Sequence, residues 1–270
     1  MHPIEIARLE EGRRARAGLP FAADTRPFTG GGVALRSRPG SWINYGVGMG
    51  LNGPVDAAEV AATVAWYESS GIEPRMEVAP FVDGATLRAF GEAGLRPRDF
   101  CTVLWRRLGS VVRPEHGTPA GVELRVIDKR DDAAVAEYAW VVNRGFTPAQ
   151  FDPSPEHLEL SRRFVGMERV VAVGAYAAGK IVGGGAVDFD GEMASLVGLS
   201  VLEAWRGRGV QQALIAERCR IAAERRVGIV TVGSRPNAVT ERNALRLGFA
   251  VAYTKVILAK SGRGLKPIGG

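Results

Sequence analysis

The chain has 270 residues, of which 46% are hydrophobic and 24% are charged, as in globular proteins of one large domain or two smaller ones. Its two cysteines, Cys101 and Cys219, are far apart and lack CxxC spacing, so we expect neither a disulfide framework nor a metal site. The formal net charge of +6 is spread along the chain and does not by itself indicate nucleic-acid binding.

The N-terminal half alternates between strand and helix patterns. Its first segment, 1–18, lacks the apolar core that a secretory signal needs, and no run in the chain approaches the about 18 apolar residues of a membrane span. We therefore expect a cytoplasmic protein without membrane contact. Asp56 is the expected N-cap of the first helix. The predicted elements are strands at 32–38 and 41–50, a helix at 56–71, a strand at 74–80, a helix at 83–94 and a strand at 98–108.

A candidate linker divides the chain. Residues 110–124 concentrate Pro, Gly and polar residues between two apolar, strand-like runs. We place the boundary near residue 116, which gives an N-terminal domain at 1–115 and a C-terminal domain at 116–260. The remaining residues, 261–270, are expected to form a frayed basic tail.

The C-terminal half has a mixed α/β pattern. Asp131 or Asp132 is the expected N-cap of its first helix, and Ser154 that of its second. The residues between the strands that end at 176 and begin at 180 form a hairpin signal. The predicted elements are a strand at 121–127, helices at 131–146 and 154–166, strands at 169–176, 180–189 and 193–201, a helix ending near 225, a strand at 228–233, a helix at 238–247 and a strand at 249–259.

The two halves end in a similar way. Each closes with a helix, a Gly followed by a large apolar residue (Gly94 and Leu95, Gly248 and Phe249) and a long alternating strand. This pattern indicates an old internal duplication. The alternative is chance similarity between two α/β halves.

Residues 201–220, VLEAWRGRGVQQALIAERCR, contain the strongest functional signal. A strand leads into a turn with Gly207 and Gly209, and a helix follows. The first N–H groups of a helix have no internal acceptor and lie at its positive dipole end, and glycines allow close approach. This arrangement suits a phosphate or pyrophosphate, and Arg206 and Arg208 add positive charge. The alternative is a basic turn without a ligand.

The same segment resembles the acetyl-CoA loop of GCN5-related N-acetyltransferases (GNAT), whose pattern is Arg/Gln-x-x-Gly-x-Gly/Ala. Arg206 and Gly209 match this pattern, whereas Gln211 stands where Gly or Ala is usual. Residues 236–249, PNAVTERNALRLGF, are similar to the family's second motif, in which Thr240 and Asn243 are departures. The positions that fit its register are Asn237, Leu247, Gly248 and Phe249.

The resemblance covers 120–258 and implies a fold and a cofactor. The implied fold class is α/β (α+β), with two tandem GNAT-like domains, each a mixed, mostly antiparallel sheet flanked by helices. The N-terminal copy is expected to be degenerate, because 46–54 lacks the Arg-x-x-Gly frame. The residues implied to bind acetyl-CoA, as a co-substrate, are Leu199, Ser200, Val201, Arg206, Gly207, Arg208, Gly209, Val210, Gln211, Gln212, Asn237 and Asn243.

The catalytic groups are less clearly indicated. The family often has a tyrosine at the position of Ala244, where it protonates the leaving thiolate; Tyr253 is the candidate substitute, and a strand tyrosine with a surface hydroxyl is the alternative. Glu192 is the candidate base for the attacking amine, which is mostly protonated at neutral pH. A turn carboxylate without that role, or a water chain, is the alternative. A backbone N–H near Val201 is expected to hold the oxyanion.

These observations predict an acyltransferase (EC 2.3.1 type) that moves an acetyl group from acetyl-CoA to a primary amine by direct attack in a ternary complex. The acceptor is expected to be a small-molecule amine or a peptide amine. We expect the loop at 144–155 to shape the site that binds this acceptor. The alternatives are a non-catalytic acyl-CoA-binding or regulatory module and an enzyme that acetylates RNA-linked amines. The sequence does not indicate an oligomeric state.

Overall fold

The computed structural model describes residues 1–109, 112–115, 117–147 and 150–268. They form two units, one made of 1–103 and 251–268 and the other of 104–250. The first unit is therefore discontinuous in sequence, since the end of the chain folds with its beginning. The predicted domains, 1–115 and 116–260, have different bounds.

The first unit contains a sheet of strand order β1-β2-β3-β4-β11-β5. Strands β3 and β4 are parallel, whereas β1–β2, β2–β3 and β4–β11 are antiparallel. Its core includes Tyr67, Met76 and Phe90. The elements are α1 (Pro3–Gly18), β1 (Asp24–Pro27), β2 (Val33–Arg36), β3 (Tyr45–Val47), α2 (Ala57–Glu68), β4 (Arg75–Val78), α3 (Gly84–Glu92), the first part of β5 (Arg96–Arg107) and β11 (Ala250–Ala259).

The second unit contains the strand order β10-β9-β8-β7-β6. Strands β6 to β9 are antiparallel, and β10 is parallel to β9. The elements are β6 (Val122–Val126), α4 (Asp132–Arg144), α5 (Pro155–Gly166), β7 (Val170–Ala177), β8 (Lys180–Asp190), β9 (Met193–Val201), α6 (Val210–Glu224), β10 (Ile229–Ser234) and α7 (Val239–Arg246). The predicted fold class, a mixed and mostly antiparallel sheet flanked by helices, is confirmed.

Helices cover both faces of the second sheet. A Cβ added at Gly184 would meet Tyr138 of α4, and one at Gly185 would meet Arg218 of α6. Because successive strand residues face opposite sides, α4 and α6 lie on opposite faces. The glycines of β8 thus allow bulky side chains of both helices to approach the backbone.

The local signals for helix starts are confirmed. Asp56 accepts from the N–H of Ala58, Asp131 from those of Ala133 and Ala134, and Ser154 from that of His157. The predicted hairpin turn is also present, with Ala178 at φ 48° and Gly179 at φ 80° between β7 and β8. Such positive φ values at both central residues suit the twist of a two-residue hairpin.

The prediction of a frayed tail is wrong for its described part. Lys266 pairs with Ile72 in a parallel bridge. Its N–H donates to the carbonyl of Gly71, and its carbonyl accepts from the N–H of Glu73. These backbone bonds hold the segment because they satisfy polar groups at the end of α2.

Among the described residues, no helix is both long and apolar enough to cross a bilayer. The same part of the chain contains no group of three His, Cys, Asp or Glu side chains suited to a metal ion.

Candidate functional site

Strands β9 and β10 separate partway along their length. Their parallel register runs from Met193 opposite Ile229 to Leu196 opposite Val232. Strand β9 continues to Val201 with β8 as its partner. The second half of β9 therefore has one edge without a strand partner among the described residues, and an extended ligand can pair with that edge.

The turn after β9 leads directly into the start of α6. A short 3₁₀ turn covers Glu203–Trp205, and Gly207 and Gly209 follow with φ of 72° and 83°. Gly209 is the N-cap and provides no side-chain acceptor. The first N–H groups of α6 are thus available to an anion at the positive end of the helix dipole.

The edge of β9 and the start of α6 open into one cavity of about 850 Å³. Ten of the described lining residues are among those that the sequence predicts to bind the cofactor. The predicted cofactor residues that line it are Leu199, Ser200, Val201, Arg206, Gly207, Gly209, Val210, Gln211, Gln212 and Asn243.

The predicted residues Arg208 and Asn237 do not line this cavity. The guanidinium of Arg208 lies 5.1 Å from the ring centroid of Trp205 and is exposed. Asn237 has φ 57°, and its N–H donates to the carboxylate of Glu241 at the start of α7. Its role in the structure is to form the turn before α7.

The three departures from the family pattern contact one another. Gln211 Nε2 donates to Thr240 Oγ1 at 3.1 Å, and Asn243 Nδ2 donates to Gln211 Oε1. Gln212 Nε2 donates to Asn243 Oδ1 at 3.2 Å. These four side chains join the first turn of α6 to α7 along the cavity wall. Gln211 is held by this network instead of extending freely over the loop.

Charged side chains lie around the same cavity. Arg206 Nε donates to the carbonyl of Val201 at 3.2 Å, which holds the arginine beside the end of β9. Arg246 Nη1 donates to Asn243 Oδ1 at 3.3 Å. Glu115 is the one carboxylate among the described lining residues. The two arginines make this wall suitable for an anionic ligand.

The structure does not bring Glu192 to the cavity. Glu192 is an exposed residue at the turn before β9, and its carbonyl accepts from the N–H of Gly228. Leu199 lies seven residues further along the strand, which is about 23 Å at the rise of a β-strand. The alternative interpretation, a turn carboxylate, therefore fits its position, and Glu192 is not retained as the base.

Tyr253 belongs to the first unit and is buried. Its hydroxyl donates to Glu11 Oε1 at 2.5 Å, and Lys255 Nζ lies 3.0 Å from the same oxygen. Burial and the Glu11 carboxylate raise the pKa of the Tyr253 hydroxyl far above its usual value. This buried hydroxyl, which donates to Glu11, is not a surface hydroxyl. It is also not among the residues that line the cavity, so Tyr253 is not retained as the acid.

Ala244, at the position where the family often has tyrosine, is fully buried. It packs with Leu247, Phe249 and Ile215 in one core cluster. A methyl group in this environment cannot transfer a proton, so the expectation that Ala244 supplies no acid is consistent with its packing.

Several lining residues were not predicted to bind the cofactor. Gly145 and Phe146 belong to the loop that the sequence assigned to the acceptor, and Pro148 and Ala149 of that loop lie outside the described residues. Glu115 and Gly117 come from the segment interpreted as a linker, which carries no periodic pattern that could have placed it here. The remaining residues are Trp205, Val239, Thr240 and Arg246.

The match to a family model agrees with this geometry. Residues 126–249 match the model of the acetyltransferase (GNAT) family. A search of curated proteins finds no match.

Solved structures share the fold over most of the chain. A GCN5-related N-acetyltransferase from Kribbella flavida has a TM-score of 0.69 and 17% identity, covering 95% of this chain and 96% of that one. A tandem GNAT protein from the clavulanic acid biosynthesis pathway has a TM-score of 0.61 and 14% identity, covering 84% and 78%.

A third structure, a GCN5-related N-acetyltransferase from Sphaerobacter thermophilus, has a TM-score of 0.59 and 20% identity, covering 80% of this chain and 71% of that one. The diverging strands, the glycine turn and the helix start all lie within or beside the segment that matches the family model. Residues 126–249 of this chain are thus similar to the acetyltransferase (GNAT) family over the segment that forms the site.

Proposed function

We propose that this protein is an acetyl-CoA-dependent N-acetyltransferase with its cofactor site in the second unit. The observation that carries the proposal is that the unpaired edge of β9 and the start of α6 open into the same cavity. The pantetheine amides of CoA would pair with β9, and its pyrophosphate would bind the N–H groups at the start of α6.

The reaction is direct transfer from the thioester to a primary amine. The amine lone pair forms the C–N bond while the carbonyl π pair moves to the oxygen. The oxyanion pair then re-forms the carbonyl as the C–S bond breaks, the thiolate leaves with the bonding pair, and the ammonium proton passes to water. Transfer therefore requires an unprotonated amine and a group that stabilises the oxyanion.

We assign the oxyanion contact to the backbone of Gly198. Val201, near which the sequence placed this contact, is in register with Gly183 of β8. Gly198 does not itself line the cavity but directly precedes Leu199, which does; it is exposed and has no partner residue in the register with β8 or β10. Its N–H is thus better placed than that of Val201 to bind the acyl oxygen.

The proton steps use water in this proposal. Among the described lining residues there is no histidine or tyrosine, and Glu115 is the single carboxylate. A thiolate is a tolerable leaving group, so transfer proceeds without a strong side-chain acid. The acceptor is a small-molecule or peptide amine that enters beside Gly145 and Phe146, which line the cavity at the end of α4.

A non-catalytic acyl-CoA-binding module is the second candidate. The buried Ala244 favours it, because the family's usual acid is absent. Turnover separates the two functions: acetyl transfer to any member of an amine panel supports the enzyme, and CoA binding without transfer supports the binding module.

The cofactor site is tested with two matched glutamate substitutions. Gly207 and Gly191 are both exposed, have φ of 72° and 59°, and have open space where a Cβ would stand. Gly207 lines the cavity, whereas Gly191 lies in the turn before β9. Both variants therefore add the same charge and similar backbone strain.

Gly207→Glu should weaken CoA binding at least about tenfold, because its carboxylate would repel the pyrophosphate. Gly191→Glu should leave the affinity unchanged. Isothermal titration calorimetry with CoA measures both. Wild-type protein that does not bind CoA, or equal affinities for the two variants, would refute the cofactor assignment.

A further inference from the structure

Strand β9 contains a bulge at the point where it leaves β10. Ala186 is opposite Val197 and Gly184 is opposite Ser200, so Gly198 and Leu199 together oppose Gly185. Gly198 has φ 62°, a conformation that favours glycine. The bulge begins two residues after Leu196, the last residue in register with β10. Such bulges re-aim backbone groups beside functional sites.

Arg218 of α6 lies under this bulge and is fully buried. Its Nε donates to the carbonyl of Leu214 at 2.9 Å. Its Nη1 lies 3.3 Å from the carbonyl oxygen of Ala186 and 3.2 Å from that of Val197, and it donates to both. A Cβ at Gly185 would stand 2.7 Å from Nη1, so the glycine makes room for the guanidinium.

The charge of Arg218 has no carboxylate partner in the described part of the chain. Its Nη2 is buried and has no hydrogen-bond partner among those residues. The titratable groups that face it are Tyr138 and Cys219, and burial raises the pKa of both. Burial lowers the pKa of Arg218 to about 10, so the guanidinium remains charged at neutral pH.

The contact with Val197 fixes the orientation of a peptide group. In a planar trans peptide the C=O and the following N–H point in opposite directions. Because the Val197 carbonyl points to Arg218 on the α6 face, the Gly198 N–H points away from α6. The next residue along β9, Leu199, lines the cavity.

We infer that Arg218 is a positioning residue for acetyl transfer. It fixes the Val197–Gly198 peptide so that the Gly198 N–H binds the thioester carbonyl oxygen. Its unpaired positive charge, carried through this polarised peptide, stabilises the oxyanion that forms when the amine attacks. Arg218 itself does not touch the substrate. The inference rests on the proposed function and adds to it a residue that no motif identifies.

Free energy also favours this interpretation over a purely structural one. A buried charge without a partner carries a large desolvation cost, and apolar replacements of buried ionic groups are often neutral or stabilising. An apolar side chain would fill the space under the bulge without that cost. The presence of an arginine here is thus explained by its effect on the Val197–Gly198 peptide, which its donors orient and its charge polarises.

The test compares wild type with Arg218→Met and Arg218→Lys. The probes are acetyl-CoA with a ¹³C-labelled carbonyl and S-ethyl-CoA, a thioether that lacks the carbonyl. In wild type, the bound carbonyl resonance should move downfield of free acetyl-CoA, and acetyl-CoA should bind about fivefold more tightly than S-ethyl-CoA, as expected for one hydrogen bond.

Arg218→Met should bind S-ethyl-CoA with wild-type affinity but lose both the downfield shift and the preference for acetyl-CoA. With any amine that wild type acetylates, its turnover should fall about 100-fold, the usual effect of losing one oxyanion donor. Arg218→Lys should recover part of the shift, because it keeps the charge. A merely structural role would not separate these two ligands.

Gly185→Ala provides a second route if Arg218→Met does not fold. It displaces the guanidinium but retains the arginine, and it should also reduce the carbonyl shift and the ligand preference. If either variant folds and keeps the wild-type carbonyl resonance and the wild-type preference for acetyl-CoA, the inference about Arg218 is overturned but the proposed function is not. Wild-type protein that binds neither CoA ligand would overturn the proposed function, and this inference with it.

Discussion

At the residue scale, the hydroxyl of Tyr253 is engaged in the first unit. It donates to Glu11, whose carboxylate also contacts the buried Lys255. We therefore expect Tyr253→Phe to lower the free energy of unfolding by about 1–3 kcal/mol, because a buried carboxylate loses one of its donors. The same substitution should leave acetyl-transfer turnover unchanged. Chemical denaturation and steady-state kinetics measure the two effects.

Tyr176→Phe is the matched control for stability. Tyr176 is only partly buried, and its hydroxyl has no hydrogen-bond partner among the described residues. Its substitution should change the free energy of unfolding by less than about 0.5 kcal/mol. A large loss of turnover in Tyr253→Phe, with its stability retained, would restore Tyr253 as a catalytic acid.

At the element scale, α6 and α7 are coupled through Gln211, Thr240 and Asn243. In sequence these residues are isolated departures from a motif, but in the structure they form one hydrogen-bonded group at the cavity wall. Gln211→Ala and Asn243→Ala should each weaken CoA binding several-fold, because the first turn of α6 is no longer fixed to α7. The double variant should be no weaker than the weaker single variant.

A double-mutant cycle measures this coupling in both CoA affinity and stability. The expected coupling free energy is about 1 kcal/mol, which corresponds to one net hydrogen bond. Strictly additive effects would show that the two helices act independently. In that case Gln211 would be a tolerated substitution in the loop and not a replacement that depends on Asn243.

The elements also differ in how well the sequence predicts them. Helix α6 and its glycine turn have a strong local signal, because the turn glycines need positive φ and the helix is apolar on two faces. Helix α1 was missed because its buried face contains Glu10, Glu11 and Arg13. Hydrophobic periodicity treats such residues as solvent-facing. Glu10 and Arg13 form an ion pair with each other, whereas Glu11 contacts Tyr253 and Lys255, which are distant in sequence.

The candidate site was likewise predictable only where its residues are adjacent in sequence. The loop and the end of β9 follow from adjacent residues, so their positions could be read from a motif. Whether Glu192 lies at the cavity depends on which end of β9 the cavity opens at. Whether Tyr253 lies there depends on the unit with which β11 folds. Both depend on topology, as does the position of Glu115 beside Gln212. No spacing in the sequence fixes these contacts.

At the scale of the whole molecule, the two units do not correspond to two consecutive halves of the chain. The second unit is continuous, 104–250, whereas the first requires both 1–103 and 251–268. Glu77 of β4 lies 2.8 Å from Lys255 of β11, and this lysine is 1% exposed. A division at residue 116 would thus separate buried charges within one unit. The internal duplication remains an interpretation of the sequence pattern.

This division of the chain predicts different outcomes for two fragments of similar length. Fragment 117–270 should be poorly soluble, because Tyr253 and Lys255 lose the first unit's partners and the core around Ala244 loses Leu104. Fragment 104–250 keeps all of that core cluster and the whole cavity, so it should retain more soluble protein and more CoA binding. Soluble yield, NMR dispersion and calorimetry with CoA compare the two, with the full chain as the reference. Equal folding and equal CoA affinity of 117–270 and 104–250 would contradict the assignment of β11 to the first unit. In that case β11 would be stable without the ion pairs that Lys255 forms with residues of 1–103.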